Sequence, residues 1–199
     1  MTSTLIRHAL VFTSVFGLGL AAVPDAGAGP VGDQLRSRLD RVVGILEDRA
    51  LKARPDVRRT ALRGAAAEIF DFTEITRRSL GRHWQAATPA EREELVLLFT
   101  ALLERSYVGR VEQFNGERLA IAAESLDGEL ATVRTRLVSK SGTATAVDYR
   151  LHRVGDRWMA YDVSVEGVSL VANYRAQFNR IIQASSARGL VQRLRAKQE

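Results

Sequence analysis

The chain has 199 residues, 29 Lys and Arg against 23 Asp and Glu, a net charge of +6, and no cysteine. The missing thiol excludes disulfide stapling, thiolate metal centres and cysteine nucleophiles, so stability has to come from packing. The basic excess suits nucleic acid, an anionic membrane or an acidic protein surface as a partner, or simply a solvated Arg-rich surface. No basic cluster is interleaved with base-stacking aromatics, and the export signal described next makes nucleic acid an unsuitable partner.

Arg7 and His8 open the chain with positive charge, and Ala9 to Val23 then runs apolar through Leu10, Val11, Phe12, Val15, Phe16, Leu18 and Leu20. Ala26-Gly27-Ala28 supplies the small-x-small pattern that signal peptidase cleaves after. A bilayer span needs about 20 apolar residues, so this run is short for a permanent anchor. Residues 1–28 are expected to be a cleaved signal peptide, with 29–199 as a single domain. Removing 28 of 199 residues leaves 171, enough for a sizeable core. Cleavage removes one base, Arg7, and one acid, Asp25, so the charge stays at +6. His83 and His152 are the remaining histidines; they lack ligand-like spacing, and no metal is expected.

The first half reads as helix and the second as strand, an α+β order. Leu35, Leu39, Val42, Val43 and Leu46 fall at helical spacing between about Asp33 and Leu51. A second helix is expected from an Asp56 N-cap, with Leu62, Ala65, Ala66 and Ile69 inward. A short helix from Thr73 to Leu80 stops at Gly81. Thr88-Pro89-Ala90-Glu91 has the cap, the first-turn proline and the glutamate of a capping box. A long apolar stripe follows from Leu95 to Phe114, and Asn115-Gly116 ends it.

Strands are expected at about 118–126, 129–139, 144–153 and 157–166, in an antiparallel meander. Three-residue loops at 141–143 and 155–157 would set Leu137 against Val147, Thr135 against Tyr149, Val147 against Val165, Tyr149 against Val163 and Leu151 against Tyr161. One face then carries Val133, Thr135, Leu137, Val147, Tyr149, Leu151, Met159, Tyr161, Val163 and Val165. The other carries Arg134, Arg136, Asp148, Arg150 and Asp162, with Arg136 opposite Asp148 and Arg150 opposite Asp162. Closing helices are expected near Ala172–Ala184 and Ala187–Ala196.

A curved sheet against helices makes a cone, and two chemistries suit one. Acid–base catalysis needs a carboxylate inside with a tyrosine or histidine. The register turns Asp148, Asp162 and His152 outward, Glu166 has no clear partner, and no nucleophile elbow or phosphate loop is present, so no enzyme activity is expected. Lipid binding needs a long dry wall: a 16-carbon chain gains about 12 kcal/mol at ~0.8 kcal/mol per methylene. The apolar face has that character, though a plain domain core has it too.

Phe70-Asp71-Phe72, Leu80-Gly81-Arg82-His83-Trp84 and Ala87-Thr88-Pro89 with its helix to Tyr107 resemble the MlaC (toluene-tolerance, Ttg2-type) family. The run Tyr149-Arg150-Leu151, Trp158, Tyr161-Asp162-Val163 and Glu166 through Arg175 to Gln177-Phe178 resembles it more closely. The resemblance covers most of residues 35–195. It implies a periplasmic phospholipid-binding protein without cofactor, carrying lipid between an outer-membrane lipoprotein complex and an inner-membrane ABC transporter complex with its substrate-binding membrane subunit. A hopanoid-associated branch, HpnM, has the same general pattern and implies a polycyclic lipid as the alternative cargo. On this fold the expected lipid-lining residues are Tyr107, Val147, Tyr149, Tyr161, Val163 and Val165.

Overall fold

The computed structural model describes residues 29–197, so the signal peptide expected over 1–28 lies outside the described residues. Helix α1 spans Pro30–Glu47, and a one-turn helix α2, Arg49–Lys52, follows at once. The break comes at Asp48, whose carboxylate accepts from the N–H groups of Ala50 (2.7 Å) and Leu51 (3.1 Å) and so starts the second helix. Helix α3 is Pro55–Ile69. Its cap is not Asp56: Pro55 takes the first turn, Arg54 stands at the N-cap without a side-chain cap bond, and Asp56 lies in the first turn. There its charge suits the helix dipole.

Helix α4, Phe72–Leu80, is capped by Asp71, which accepts from Glu74 N–H at 2.9 Å. Gly81 ends it with φ of 55°, a conformation side chains resist. The short helix α5, His83–Ala86, leads to helix α6, Pro89–Val111. The Thr88/Glu91 capping box is formed in both directions. Helix α6 has 23 residues, hence a length of about 34 Å.

The sheet contains β1 (Arg118–Asp127), β2 (Leu130–Val138), β3 (Ala144–Val154), β4 (Arg157–Val165) and β5 (Val168–Ser169), all antiparallel and in chain order. Helices α7 (Leu170–Ala184) and α8 (Ala187–Arg195) close the chain. The fold is α+β, as expected, with one more strand than the four expected. Glu166 (φ 48°) and Gly167 (φ 78°) form a two-residue turn of the kind that matches strand twist, and it folds β5 back onto β4. The chain therefore turns before it enters α7, instead of bending straight into it.

Two registers differ from expectation. In β2–β3, Val133 faces Tyr149, Thr135 faces Val147 and Leu137 faces Thr145. The loop is residues 139–143, closed by Ser139, whose Oγ accepts from Thr143 N–H at 3.1 Å. A two-residue shift keeps every side chain on its expected face. It does move Arg136 from Asp148 to Ala146. In β3–β4 the pairs Val147–Val165, Tyr149–Val163 and Arg150–Asp162 are as expected, but a bulge then sets Leu151 opposite Ala160. The extra residue reverses the alternation beyond it. Ala160 takes the inner position, while Met159 pairs with His152 on the other face.

The inner face of the sheet packs on α1 and α3 through Val31, Leu35, Ile69, Ile121, Val133, Tyr149, Leu151 and Ala160. A separate helical core joins α4, α6, α7 and α8 through Ile75, Leu95, Phe99, Leu102, Phe178, Leu190 and Leu194. Near the junction of α4 with β4, Glu74 accepts from Arg77 (2.5 Å) and Arg78 (2.7 Å). Bonding to Arg77, and secondarily to Arg78, outweighs burial and lowers the Glu74 pKa to about 2. A depressed folded-state pKa gives stability that is present above the ordinary carboxylate value and is lost as pH falls toward 2. The urea midpoint of wild type should therefore exceed that of Glu74→Gln at pH 6, with the gap closing as pH falls from the ordinary carboxylate range toward about 2. A pH-independent gap would contradict this assignment.

Candidate functional site

The two cores do not meet everywhere. Between them lies a cavity of about 370 Å³, inside the range of ~300–1,000 Å³ common for ligand sites. Leu39 and Val42 of α1, Leu62, Ala66 and Ile69 of α3, Phe72 and Ile75 of α4, and Leu103, Val108 and Val111 of α6 supply its apolar wall. The sheet contributes Tyr149, Val163 and Val165, and the β5–α7 corner adds Val168 and Leu170.

Burial grades along the cavity. Leu62, Ile69, Ile75, Leu103 and Tyr149 are buried, whereas Tyr107 (37%), Val111 (40%) and Val168 (44%) are exposed. The mouth therefore lies between the C-terminal half of α6 and the β4–β5 turn. Burial raises the Tyr149 phenol pKa to about 12, so this hydroxyl stays neutral throughout the physiological range.

Four lining side chains carry charge: Arg63, Glu104, Arg110 and Asp162. Arg63 and Glu104 pair across the α3–α6 gap at 2.9 Å, and Arg59–Glu112 repeats the bridge at 3.5 Å. The alternation expects Asp162 to point to solvent as a register partner. It does pair with Arg150, at 3.6 Å, but it is buried because β5 and α7 fold over it. Its Oδ1 accepts from Val171 N–H (3.0 Å) and its Oδ2 from Ser169 Oγ (2.6 Å). Ser169 Oγ in turn accepts from Ala172 N–H at 3.0 Å, so serine and aspartate together cap α7. With both oxygens engaged, the carboxylate serves as a structural anchor rather than a free base. Asp162→Ala would leave the buried Val171 N–H unpaired, at a cost of about 1–3 kcal/mol. The expected result is a lower urea midpoint at unchanged slope; an unchanged midpoint would contradict the capping role.

Of the six residues expected to line the cavity, Tyr107, Tyr149, Val163 and Val165 do so. Val147 and Tyr161 are not among the lining residues. Val147 shares the inner face but packs into the sheet core. Tyr161 sits at the β3–β4 bulge, edge-on to His152 (centroids 5.9 Å) and beneath the Arg78 guanidinium (3.7 Å), away from the cavity. The helical lining is partly signalled by the inward positions Leu62, Ala66 and Ile69 and by Val111 in the long stripe. Periodicity marks such positions as buried without separating a wall from a core.

The other family-like motifs have structural roles. Asp71 caps α4 and lies 3.1 Å from His152 Nε2, tying α4 to β3. Asp71 N–H also donates to Ala160 C=O at 3.0 Å, beside a Phe70–Ala160 bridge, which covers part of the β4 edge. His83 Nε2 meets Asn179 Oδ1 at 2.9 Å, and Trp84 C=O accepts from Arg92 at 2.9 Å, so His83-Trp84 packs a helix junction. Among the described residues, no helix is long and apolar enough to cross a membrane.

The chain resembles known proteins over nearly this whole architecture. A family model described as MlaC protein matches residues 36–196. The toluene tolerance protein ttg2D of Pseudomonas putida is 24% identical over 187 residues, covering 92% of this chain and 85% of the relative. A solved structure of a phospholipid-binding protein from Ralstonia solanacearum, in complex with a phospholipid, superposes with a TM-score of 0.69 at 26% identity, covering 84% of this chain and 96% of that one. The matched span runs from within α1 into the turn after α8, taking in both walls of the cavity, and the chain belongs to the MlaC family.

Proposed function

We propose that this protein is a periplasmic lipid carrier, with residues 1–28 as its export signal and the α3–α6–sheet cavity as its acyl-chain site. The observation that carries this reading is the cavity itself. It is apolar at depth, closed by two hydrophobic cores, and opens at exposed Tyr107, Val111 and Val168. Moving acyl methylenes from water into such a space is favourable by ~0.8 kcal/mol each. The phospholipid in the Ralstonia relative supports a phospholipid as cargo. No catalytic step belongs to this reading, because the one carboxylate among the lining residues without an arginine from the opposite rim, Asp162, is committed to capping α7.

The carrier moves lipid between an outer-membrane lipoprotein complex and an inner-membrane ABC transporter complex. Partner contact is supported by the outer sheet face, where the side chains of Arg118, Arg134 and Arg136 make no hydrogen bond or ion pair among the described residues; Arg136 stands between small Ala120 and Ala146, and Arg134 lies opposite Asp148. Such a face suits an acidic protein surface, and its contribution would weaken with salt.

The test is lipid pickup and delivery. Protein stripped of lipid is incubated with phospholipid vesicles, separated from them, and mixed with unlabelled acceptor vesicles. The expected result is phospholipid travelling with the protein and then entering the acceptors. Protein that stays empty at all vesicle concentrations would refute the proposal, and uptake of a hopanoid in preference to phospholipid would replace the cargo.

A further inference from the structure

The mouth of the cavity has an unbalanced charge. Arg63 is neutralised by Glu104 across the rim, and Glu112 by Arg59. Asp162 is consumed by Ser169, Val171 and Arg150. Arg110 is the one charged lining side chain left over: it makes no hydrogen bond or ion pair among the described residues. It occupies the last turn of α6, between the exposed rim residues Tyr107 and Val111. Its guanidinium lies 5.9 Å from the Tyr107 ring centroid, near the outer limit of a cation–π contact, which biases the side chain toward the mouth.

We propose that Arg110 is an anion-binding residue for the lipid headgroup, and that it gives the carrier a preference for phospholipids of net negative charge over zwitterionic ones. The inference rests on the carrier reading above. With acyl chains directed toward buried Ile69 and Leu103, the phosphodiester comes to the rim, where the planar guanidinium fork can grip two phosphate oxygens. Selectivity follows from the missing counterpart. A zwitterionic headgroup also carries an ammonium; on α6 and just beyond it Glu104 and Glu112 already hold arginines, and Glu166 of the facing β4–β5 turn accepts from Ala146 N–H at 2.5 Å. Phosphatidylglycerol has no ammonium to leave unpaired. Arg110 remains solvated while the cavity is empty, so the apo protein incurs no buried-charge cost. A partly exposed charge contact of this kind corresponds to about a fivefold preference.

The test uses mature protein and vesicles of equimolar phosphatidylglycerol and phosphatidylethanolamine with matched acyl chains. The lipid carried off by the protein is quantified by mass spectrometry. Wild type should be enriched in phosphatidylglycerol about fivefold. Arg110→Gln should fall to the vesicle ratio, and Arg110→Lys should keep part of the enrichment. Arg105→Gln removes the same charge from α6 outside the cavity and should behave as wild type. Equal loading by wild type, or full enrichment retained in Arg110→Gln, would overturn the proposal. So would loss of enrichment under millimolar glycerol phosphate, which would make this a site for free anions. Failure of wild type to take up either lipid would instead refute the carrier reading.

Discussion

Val163→Arg should give a folded protein that carries less than about a tenth of the wild-type lipid. Val163 pairs with Tyr149 on the inner face, and both line the cavity. An arginine there faces two unfavourable choices. It can stay in the apolar space unpaired, where a charge is costly, or run its long stem toward the mouth and fill the volume proposed for an acyl chain. No lining carboxylate is free to receive it, since Glu104 holds Arg63 and Asp162 caps α7. Val163→Leu should retain lipid, as an apolar wall residue of similar shape. Wild-type lipid content in a folded Val163→Arg protein would show that the acyl chains lie elsewhere. The same change at Val147 acts differently, because Val147 belongs to the sheet core and not to the cavity wall; its main effect should be on stability.

The largest stability effect is expected at Phe99. Its side chain is fully buried in the helical core and meets Tyr174 and Phe178 edge-to-face, with ring centroids at 4.8 and 4.9 Å. This cluster fixes α7 against α6, and α7 begins at the β5–α7 corner whose Val168 and Leu170 line the cavity. Phe99→Ala removes the aromatic contacts and leaves a void, a change that costs about 3–5 kcal/mol in such sites. Urea unfolding measures it directly. A loss below about 1 kcal/mol would mean that the helical core can collapse around the gap.

Much of this architecture is legible in the sequence because local chemistry and tertiary packing agree. Thr88-Pro89-Ala90-Glu91 encodes a complete helix start, and the chain uses it. Period-two alternation through Val133 and Thr135 on β2 and through Val147, Tyr149 and Leu151 on β3 fixes which side chains face inward, even though the β2–β3 loop is longer than expected. What escapes such a reading depends on single insertions and on long-range contacts. The bulge beside Arg150 turns Tyr161 away from the wall, and alternation alone cannot locate an extra residue. Asp162 reads as an exposed charge until β5 and α7 fold over it. The cavity is least legible of all, since Leu62, Ile69 and Leu103 have the same periodicity whether they meet another side chain or an empty space. Arg110 stands out only once Glu104 and Glu112 are seen to be paired with other arginines.

The central claim is that the cavity between the two cores holds lipid. Native mass spectrometry of the protein, purified from bacteria without detergent, tests it most directly. The account predicts a species heavier than the polypeptide by one phospholipid, whose acyl chains are recovered on organic extraction and whose occupancy falls in Val163→Arg. A bare polypeptide mass, unchanged after exposure to phospholipid vesicles, would contradict it.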